Sequence, residues 1–185
     1  MALKATIFKA ELQIADMDRS YYHDHALTIA RHPSETDERM MVRLLAFAVH
    51  ASEALSFGKG LGADDEPDLW QKDLTGAIEL WIDVGQPDEK RMRRACGRAA
   101  QVFVYSYGGH GAGIWWDQIG GKLERSRNLT VMSLPASACQ ALARLARRNM
   151  QLNCTIQDGQ IWLADADARV EVELTEMKAA SAQAR

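Results

Sequence analysis

The alternation of apolar and polar positions predicts a β-hairpin in the middle of the chain. Two extended runs, at residues 68–73 and 77–84, flank the short linker Leu74-Thr75-Gly76, whose glycine suits a tight turn. Because side chains alternate along a strand, the second run has one wholly apolar face, which we expect to face the core, and one mixed face. The apolar face comprises Ile78, Leu80, Ile82 and Val84, and the mixed face comprises Glu79, Trp81 and Asp83.

Acidic residues occur on both arms of this hairpin. With the turn centred on Leu74-Thr75, Asp68 lies opposite Trp81 and diagonal to both Glu79 and Asp83. Asp68 and Asp83 are then expected to converge. A one-residue change of the turn register would send Asp68 to the opposite face, so the convergence depends on the register.

Carboxylates on one patch repel each other unless a cation lies between them or solvent screens them. Mg²⁺ binds oxygen ligands of this kind, and the hairpin therefore predicts a magnesium site formed by Asp68, Asp83 and Glu79. The alternative is a solvated acidic face on a half-exposed hairpin, because surface carboxylates are common.

The same patterns predict the remaining elements. Alternating runs predict an opening hairpin, a 3.6-residue period after Pro33-Ser34 predicts a long helix, and a near-continuous apolar run predicts a buried strand. The full set is, in order, strands 5–15 and 21–31, helix 35–55, strand 56–61, the hairpin, helix 88–98, strand 101–107, helix 114–123, strand 129–134, helix 136–149, and strands 150–157, 161–164 and 169–175.

This order predicts an α/β fold built on a mixed sheet. A helix precedes a three-stranded meander, and a right-handed crossover through the helix at 88–98 leads to the buried strand. The N-terminal hairpin and the β-rich C-terminal section should extend this sheet or form a second one against it. No repeats or linkers interrupt the chain, so residues 1–185 are predicted to form a single domain.

Composition excludes several classes of protein. The 185 residues carry a formal net charge of -3, which argues against a protein that coats nucleic acid by bulk charge. Lys90, Arg94 and Arg98 nevertheless share one face of the helix at 88–98, where they form either a phosphate-contacting rim or a solvated face. Three widely spaced cysteines favour reduced thiols, and we expect a cytoplasmic protein with no signal peptide and no membrane span.

Four long segments resemble known proteins. RHPSETDERMMVRLLA (31–46), GLGADDEPDLW (60–70), IELWIDVGQPDEKR (78–91) and TIQDGQIWL (155–163) are similar to the YaeQ family. The αβββαβ order, with Pro67-Asp68 at the start of one strand and an acid near the end of the next, also resembles the PD-(D/E)XK nuclease core. These resemblances imply a variant of the restriction-endonuclease-like fold, with a nuclease-like core at about residues 35–134.

The nuclease resemblance implies a role for individual residues. It makes Asp68 the first metal acid and Asp83 the second, and Glu53 matches the acid that many such nucleases supply from their first helix. The sequence departs from the pattern at the motif lysine, because Asp83-Val84 is followed by Gly85. Lys90 is then expected to reach in from the next helix and orient the nucleophile, or else the chemistry is lost.

Two functions follow from these expectations. The first is a Mg²⁺-dependent phosphodiesterase that acts on nucleic acid, in which the metal lowers the pKa of a bound water and neutralises charge on the phosphoryl group. The second is a catalytically silent module that binds nucleic acid or a protein of the transcription machinery through the basic helix and the tryptophans. The sequence leaves the oligomeric state open.

Overall fold

Two β-sheets and four helices make up the computed structural model, which describes residues 4–61 and 63–181. The fold is therefore mixed α/β, as the sequence predicts. The strands are β1 Thr6–Asp16, β2 Tyr21–Arg31, β3 Leu55–Phe57, β4 Leu69–Lys72, β5 Ile78–Val84, β6 Ala99–Ser106, β7 Leu129–Ser133, β8 Asn149–Gln157, β9 Gln160–Ala164, β10 Arg169–Val172 and β11 Thr175–Lys178. The helices are α1 Asp37–His50, α2 Glu89–Arg98, α3 His110–Ile119 and α4 Ala136–Arg144, and a 3-10 turn, Gly120–Leu123, follows α3.

The opening hairpin belongs to a sheet of its own, with the strand order β10-β9-β8-β1-β2. Strands β1 and β2 pair antiparallel from Thr6 opposite Arg31 to Asp16 opposite Tyr21. The inward side chains of β1 are buried, and they are Phe8, Ala10, Leu12 and Ile14. The prediction left two arrangements open, and the structure has the second, because α1 packs between the hairpin and the other sheet and shares one apolar cluster with both.

The second sheet carries the predicted succession of helix, three-stranded meander, helix and strand. Its order is β11-β7-β6-β5-β4-β3, in which β3, β4 and β5 pair antiparallel, and β5, β6 and β7 pair parallel. Helix α2 makes the crossover from β5 to β6. Strand β5 is therefore central, with one antiparallel and one parallel neighbour.

Both faces of β5 are covered from Leu80 to Val84, so the alternative of a half-exposed hairpin does not hold for this part of the strand. Leu80 and Ile82 pack into the cluster around α1, whereas Trp81 packs with Met92 and Ala95 of α2. The amphipathic α2 folds back across the sheet and removes the second face from solvent. Asp83, which lies on that face beside Trp81, is consequently buried.

Several predicted boundaries move. Helix α1 ends at His50 rather than at residue 55, and Thr36 caps its first turn by accepting a hydrogen bond from the Arg39 N–H at 3.1 Å. Residues 169–175 do not form one strand, because β10 pairs with β9 while β11 crosses to β7 in the other sheet. None of the helices in residues 4–61 and 63–181 is long and apolar enough to span a membrane.

Candidate active site

The register of the β4–β5 hairpin decides whether its acids meet. Leu69 lies opposite Ile82 and Trp70 opposite Trp81, so the predicted pairing of Asp68 with Trp81 is wrong by two residues. A shift by an even number preserves the face of every side chain. Asp68 therefore keeps the expected side and approaches the end of β5, where its carboxylate accepts a hydrogen bond from the Val84 N–H at 2.7 Å.

Asp68 is buried, with 5% of its surface exposed, and is held by an arginine of α1. Nη2 of Arg39 lies 2.8 Å from Oδ1 and 2.9 Å from Oδ2 of Asp68. The same guanidinium donates to Glu35 Oε1 at 2.9 Å and to the Val84 carbonyl oxygen at 3.2 Å. Arg39 thus ties the start of α1 to the ends of both hairpin strands.

Asp83 is buried as well, with 2% of its surface exposed, and its partner comes from α2. Arg91 donates from Nε to Oδ2 at 2.8 Å and from Nη2 to Oδ1 at 2.9 Å, a bidentate pair. Asp88 caps α2 by accepting from the Arg91 N–H at 2.7 Å, which places this side chain on the first turn above the strand end. Arg91 also donates to the carbonyl oxygens of Asp64 and Glu66.

Burial and pairing act against each other in this site. Burial raises the pKa of Asp83 above its usual value, although the hydrogen bonds and the charge of Arg91 oppose that shift. The charge of Asp68 raises the pKa of Asp83 further, which indicates that the two carboxylates are electrostatic neighbours. The hydrogen bonds from Arg91 to Asp83 raise the pKa of Arg91, so the guanidinium stays charged.

These groups line one cavity of about 380 Å³ between α1, α2 and the ends of β4 and β5. Its ionisable lining consists of four carboxylates, two guanidiniums and a phenol, contributed by Asp64, Glu66, Asp68, Asp83, Arg39, Arg91 and Tyr107. With the carboxylates and guanidiniums ionised, the lining has a formal charge of -2. We refer to this cavity as the Asp68–Asp83 pocket.

The other predicted site residues lie elsewhere. Lys90 is exposed and does not line the Asp68–Asp83 pocket, where the neighbouring Arg91 takes the place expected for it. Glu53 is exposed in the turn after α1, where its charge acts on Tyr21 and His25 of β2. Glu79 lies at the far end of β5, exposed, and accepts a hydrogen bond from Gln71 Nε2 at 2.7 Å. Within residues 4–61 and 63–181, no cluster of three or more His, Cys, Asp or Glu side chains is arranged to hold a metal.

Sequence reasoning missed the two arginines that complete the pocket. Two acids that are buried on a central strand and its neighbour require cationic partners, because a buried carboxylate without a partner destabilises the fold. Arg39 lies four residues after Glu35 on the helix face that meets the hairpin, and Arg91 lies three residues after the cap Asp88. Those two spacings are the features of the sequence that point to them.

Comparison with known proteins identifies relatives along nearly the whole chain. The sequence pattern that defines the YaeQ protein family matches residues 1–174. The chain belongs to the YaeQ family. It is 49% identical over 175 residues to the proteins named "Uncharacterized protein YaeQ" from Salmonella typhi and Escherichia coli K12, with 95% of this chain and 97% of each relative covered.

Crystal structures of two YaeQ proteins share the fold. The YaeQ protein from Xanthomonas axonopodis pv. citri superposes with a TM-score of 0.91 at 50% identity, covering 95% of this chain and 99% of that one. The YaeQ protein from Pseudomonas syringae superposes with the same TM-score, 0.91, at 35% identity, covering 95% and 97%. The two-sheet arrangement therefore persists in the YaeQ family while half or more of the residues change.

One glycine of the chain secures the position of Asp68. The N–H of Gly58 donates to the Asp68 carbonyl oxygen at 2.9 Å, and a Cβ at position 58 would overlap the backbone oxygen of Pro67. We expect Gly58→Ala to lower the free energy of unfolding by about 1–3 kcal/mol, because the Pro67-Asp68 backbone must move. Gly97→Ala in α2, where a Cβ meets nothing within 4 Å, is the matched control and should be neutral or stabilising in urea denaturation. Equal losses in the two variants would contradict the prediction.

Proposed function

We propose that the Asp68–Asp83 pocket is the active site of an enzyme that hydrolyses phosphodiester bonds of nucleic acid with a divalent cation, preferably Mg²⁺. The observation that carries this proposal is the convergence of two buried acids, from neighbouring strands, on one small cavity. Burial raises the pKa of Asp83, and a buried carboxylate with a shifted pKa in a cleft is typical of a functional site. A solvated acidic face would instead leave such residues exposed.

The proposal includes the relationship to the PD-(D/E)XK nucleases. The order α1-β3-β4-β5-α2-β6 and the position of the two acids at the β4 and β5 ends support a restriction-endonuclease-like core at about residues 35–134. We also propose a cytoplasmic location, which the free thiols of Cys96, Cys139 and Cys154 support.

The donor set fits Mg²⁺ in charge and in kind. Mg²⁺ is commonly bound by one or two carboxylates, with waters and substrate phosphate oxygens as the remaining ligands. Asp68 and Asp83 would supply those carboxylates, and one divalent cation neutralises the formal charge of -2 on the lining. When bound, the cation would lower the pKa of a water molecule and neutralise charge on the phosphoryl group.

The arginines perform two tasks in this proposal. In the structure they orient Asp68 and Asp83 through hydrogen bonds from their guanidinium groups. A guanidinium that is released from its carboxylate is also suited to bidentate contact with a phosphate group. Of the two neighbours Lys90 and Arg91, only Arg91 lines the pocket. We therefore assign to Arg91 the role that the sequence suggested for Lys90, which is to orient the nucleophile.

The proposal predicts that cation binding needs Asp83. Calorimetric titration of Mg²⁺ and Mn²⁺ should show binding to the wild-type protein and binding weaker by about tenfold or more in Asp83→Asn, because a coordinating charge is lost. Glu79→Gln, on the same strand but outside the pocket, is the matched control and should bind as the wild type does. The proposal would be contradicted if the wild-type protein bound neither ion at millimolar concentration. If an ion binds, cleavage of DNA and RNA is then assayed with the wild type, Asp83→Asn and Glu79→Gln.

A second function is favoured by one specific observation. Every carboxylate oxygen of Asp68 and Asp83 already accepts a hydrogen bond from a guanidinium or a backbone N–H, so a cation would share these oxygens with the two arginines. A nuclease fold retained only for binding would have such a self-neutralised site. In that case the protein binds nucleic acid or a protein partner without turnover, and added salt weakens the binding if phosphates are contacted.

A further inference from the structure

A second and larger cavity, of about 830 Å³, lies at the opposite ends of β5 and α1 from the Asp68–Asp83 pocket. Helix α1 contributes Arg39 to the first pocket and His50 to the second cavity, a separation of roughly 16 Å at 1.5 Å per residue. Strand β5 contributes Val84 to the first and Glu79 to the second, roughly 16 Å apart at 3.3 Å per residue. The distances along the helix and along the strand agree, and they show that this cavity is separate from the Asp68–Asp83 pocket. We refer to it as the His50 cavity.

The walls of the His50 cavity combine apolar surface with amide and carboxylate groups. Val49, Leu80 and Ala100 supply the apolar part. Ser52 donates to Gln71 Oε1 at 2.7 Å, and Gln71 donates in turn to Glu79 at 2.7 Å, so three polar side chains form a connected wall. The side chain of Gln101 lies on the face that Leu80 shares, as the β5–β6 register requires.

An aromatic ring and a guanidinium complete the lining. The imidazole of His50 lies edge-on against Phe103, with ring centroids 4.4 Å apart, and its Nε2 is 2.6 Å from the Tyr105 hydroxyl. Arg19, which also lines the cavity, is committed to Asp16 and to the Ala51 carbonyl oxygen. In contrast, the Arg127 side chain is exposed and has no ion pair or hydrogen bond within the described part of the chain. Among the described residues that line the cavity, Arg127 is thus the cation whose side chain has no described partner.

We propose that the His50 cavity binds a nucleoside monophosphate. Its volume is within the range of about 300–1,000 Å³ that is typical of small-molecule sites. Gln and Glu side chains match the donor and acceptor edges of nucleobases, and the imidazole of His50 lines the same cavity. Arg127 provides the phosphate contact, and the apolar walls cover the faces of the ligand.

This proposal goes beyond the nuclease function and stands without it. The test is calorimetric titration of adenosine, guanosine, cytidine and uridine 5′-monophosphates into the full chain without added metal. At least one should bind, and Arg127→Gln should weaken that binding by about tenfold or more, because a charge-assisted hydrogen bond to the phosphate is lost. Gln101→Leu should change the preference among the four bases. The imidazole resonances of His50 should shift on binding in the wild-type protein.

Two control variants separate this site from other sources of binding. Arg125→Gln removes an exposed guanidinium two positions away that does not line the cavity, and it should bind as the wild type does. Asp83→Asn alters only the Asp68–Asp83 pocket and should also leave nucleotide binding unchanged. Absence of binding by all four nucleotides at millimolar concentration, equal weakening by Arg125→Gln and Arg127→Gln, or loss of binding in Asp83→Asn alone would each overturn the proposal.

Discussion

Replacing Glu35 by Gln is expected to lower the free energy of unfolding by about 3–5 kcal/mol, because it leaves a buried guanidinium without its counter-charge. Glu35 accepts from Arg43 Nε at 2.8 Å and Nη2 at 2.7 Å, and from Arg39 Nη1 at 2.9 Å. The side chains of Glu35 and Arg43 are only 1% and 2% exposed. Solvent therefore cannot take over the hydrogen bonds that the amide fails to accept. The loss is a large part of the stability of a typical domain.

Urea denaturation followed by circular dichroism measures this effect. Glu38→Gln removes an acid from the first turn of the same helix without breaking a described ion pair, and it should cost less than about 1 kcal/mol. The double variant Glu35→Gln/Arg43→Met should recover part of the loss, because the unpaired guanidinium is no longer present. Similar losses in Glu35→Gln and Glu38→Gln would show that the pair contributes little to stability.

The ion pairs of the Asp68–Asp83 pocket explain why the sequence predicted its two acids but not its two arginines. Alternation along residues 77–84 assigned Asp83 to a strand face, and the even-numbered register shift left Asp68 on the same side. Those two steps depend on local periodicity, which a sequence displays directly. The arginine partners depend on how α1 and α2 pack across the sheet, and local periodicity does not contain that information.

The residues that the structure separates from the pocket show the same limit. Glu79 shares a strand with Asp83, but the β4–β5 pairing shifts after Gln71 and Leu80, so that Lys72 lies opposite Ile78 and Glu79 is the additional residue. A β-bulge of this kind redirects a side chain, and simple alternation cannot anticipate it. Lys90 and Arg91 are neighbours in sequence and differ by about 100° around the helix, which is enough to bring one to Asp83 and leave the other in solvent.

The fold was predictable further than the site. The order of elements, the hairpin at 68–84 and the crossover to a buried strand all follow from apolar periodicity, and the structure contains them. The division into two sheets was not decided by periodicity, because the outer strands would bury a similar apolar face in either arrangement. The apolar cluster around α1 decides it, since this helix is buried against both sheets.

Lowering the pH from 6.5 to 4 is expected to decrease the free energy of unfolding by about 3 kcal/mol through His50 alone. The decrease follows from the difference in the pKa of this histidine between the folded and unfolded states. Burial and, to a smaller extent, the charge of Arg19 together lower the pKa of His50 from 6.5 to about 4. In the unfolded chain the imidazole takes up its proton near pH 6.5, whereas in the folded protein it does so only near pH 4. The unfolded state therefore binds more protons in this window, and stability falls as the pH falls.

The contribution of His50 to this loss is measured by urea denaturation of the wild type and of His50→Gln at a series of pH values between 7 and 4. The amide of Gln can still pair with the Tyr105 hydroxyl but does not titrate, so the variant should lose less stability than the wild type as the pH falls. His110→Gln, at an exposed position, should follow the wild-type curve. Asp83, whose pKa is raised by burial, titrates equally in all three proteins and cancels in the comparison. Parallel curves for wild type and His50→Gln would mean that the imidazole takes up its proton at the same pH in the folded and unfolded states, which would contradict the prediction.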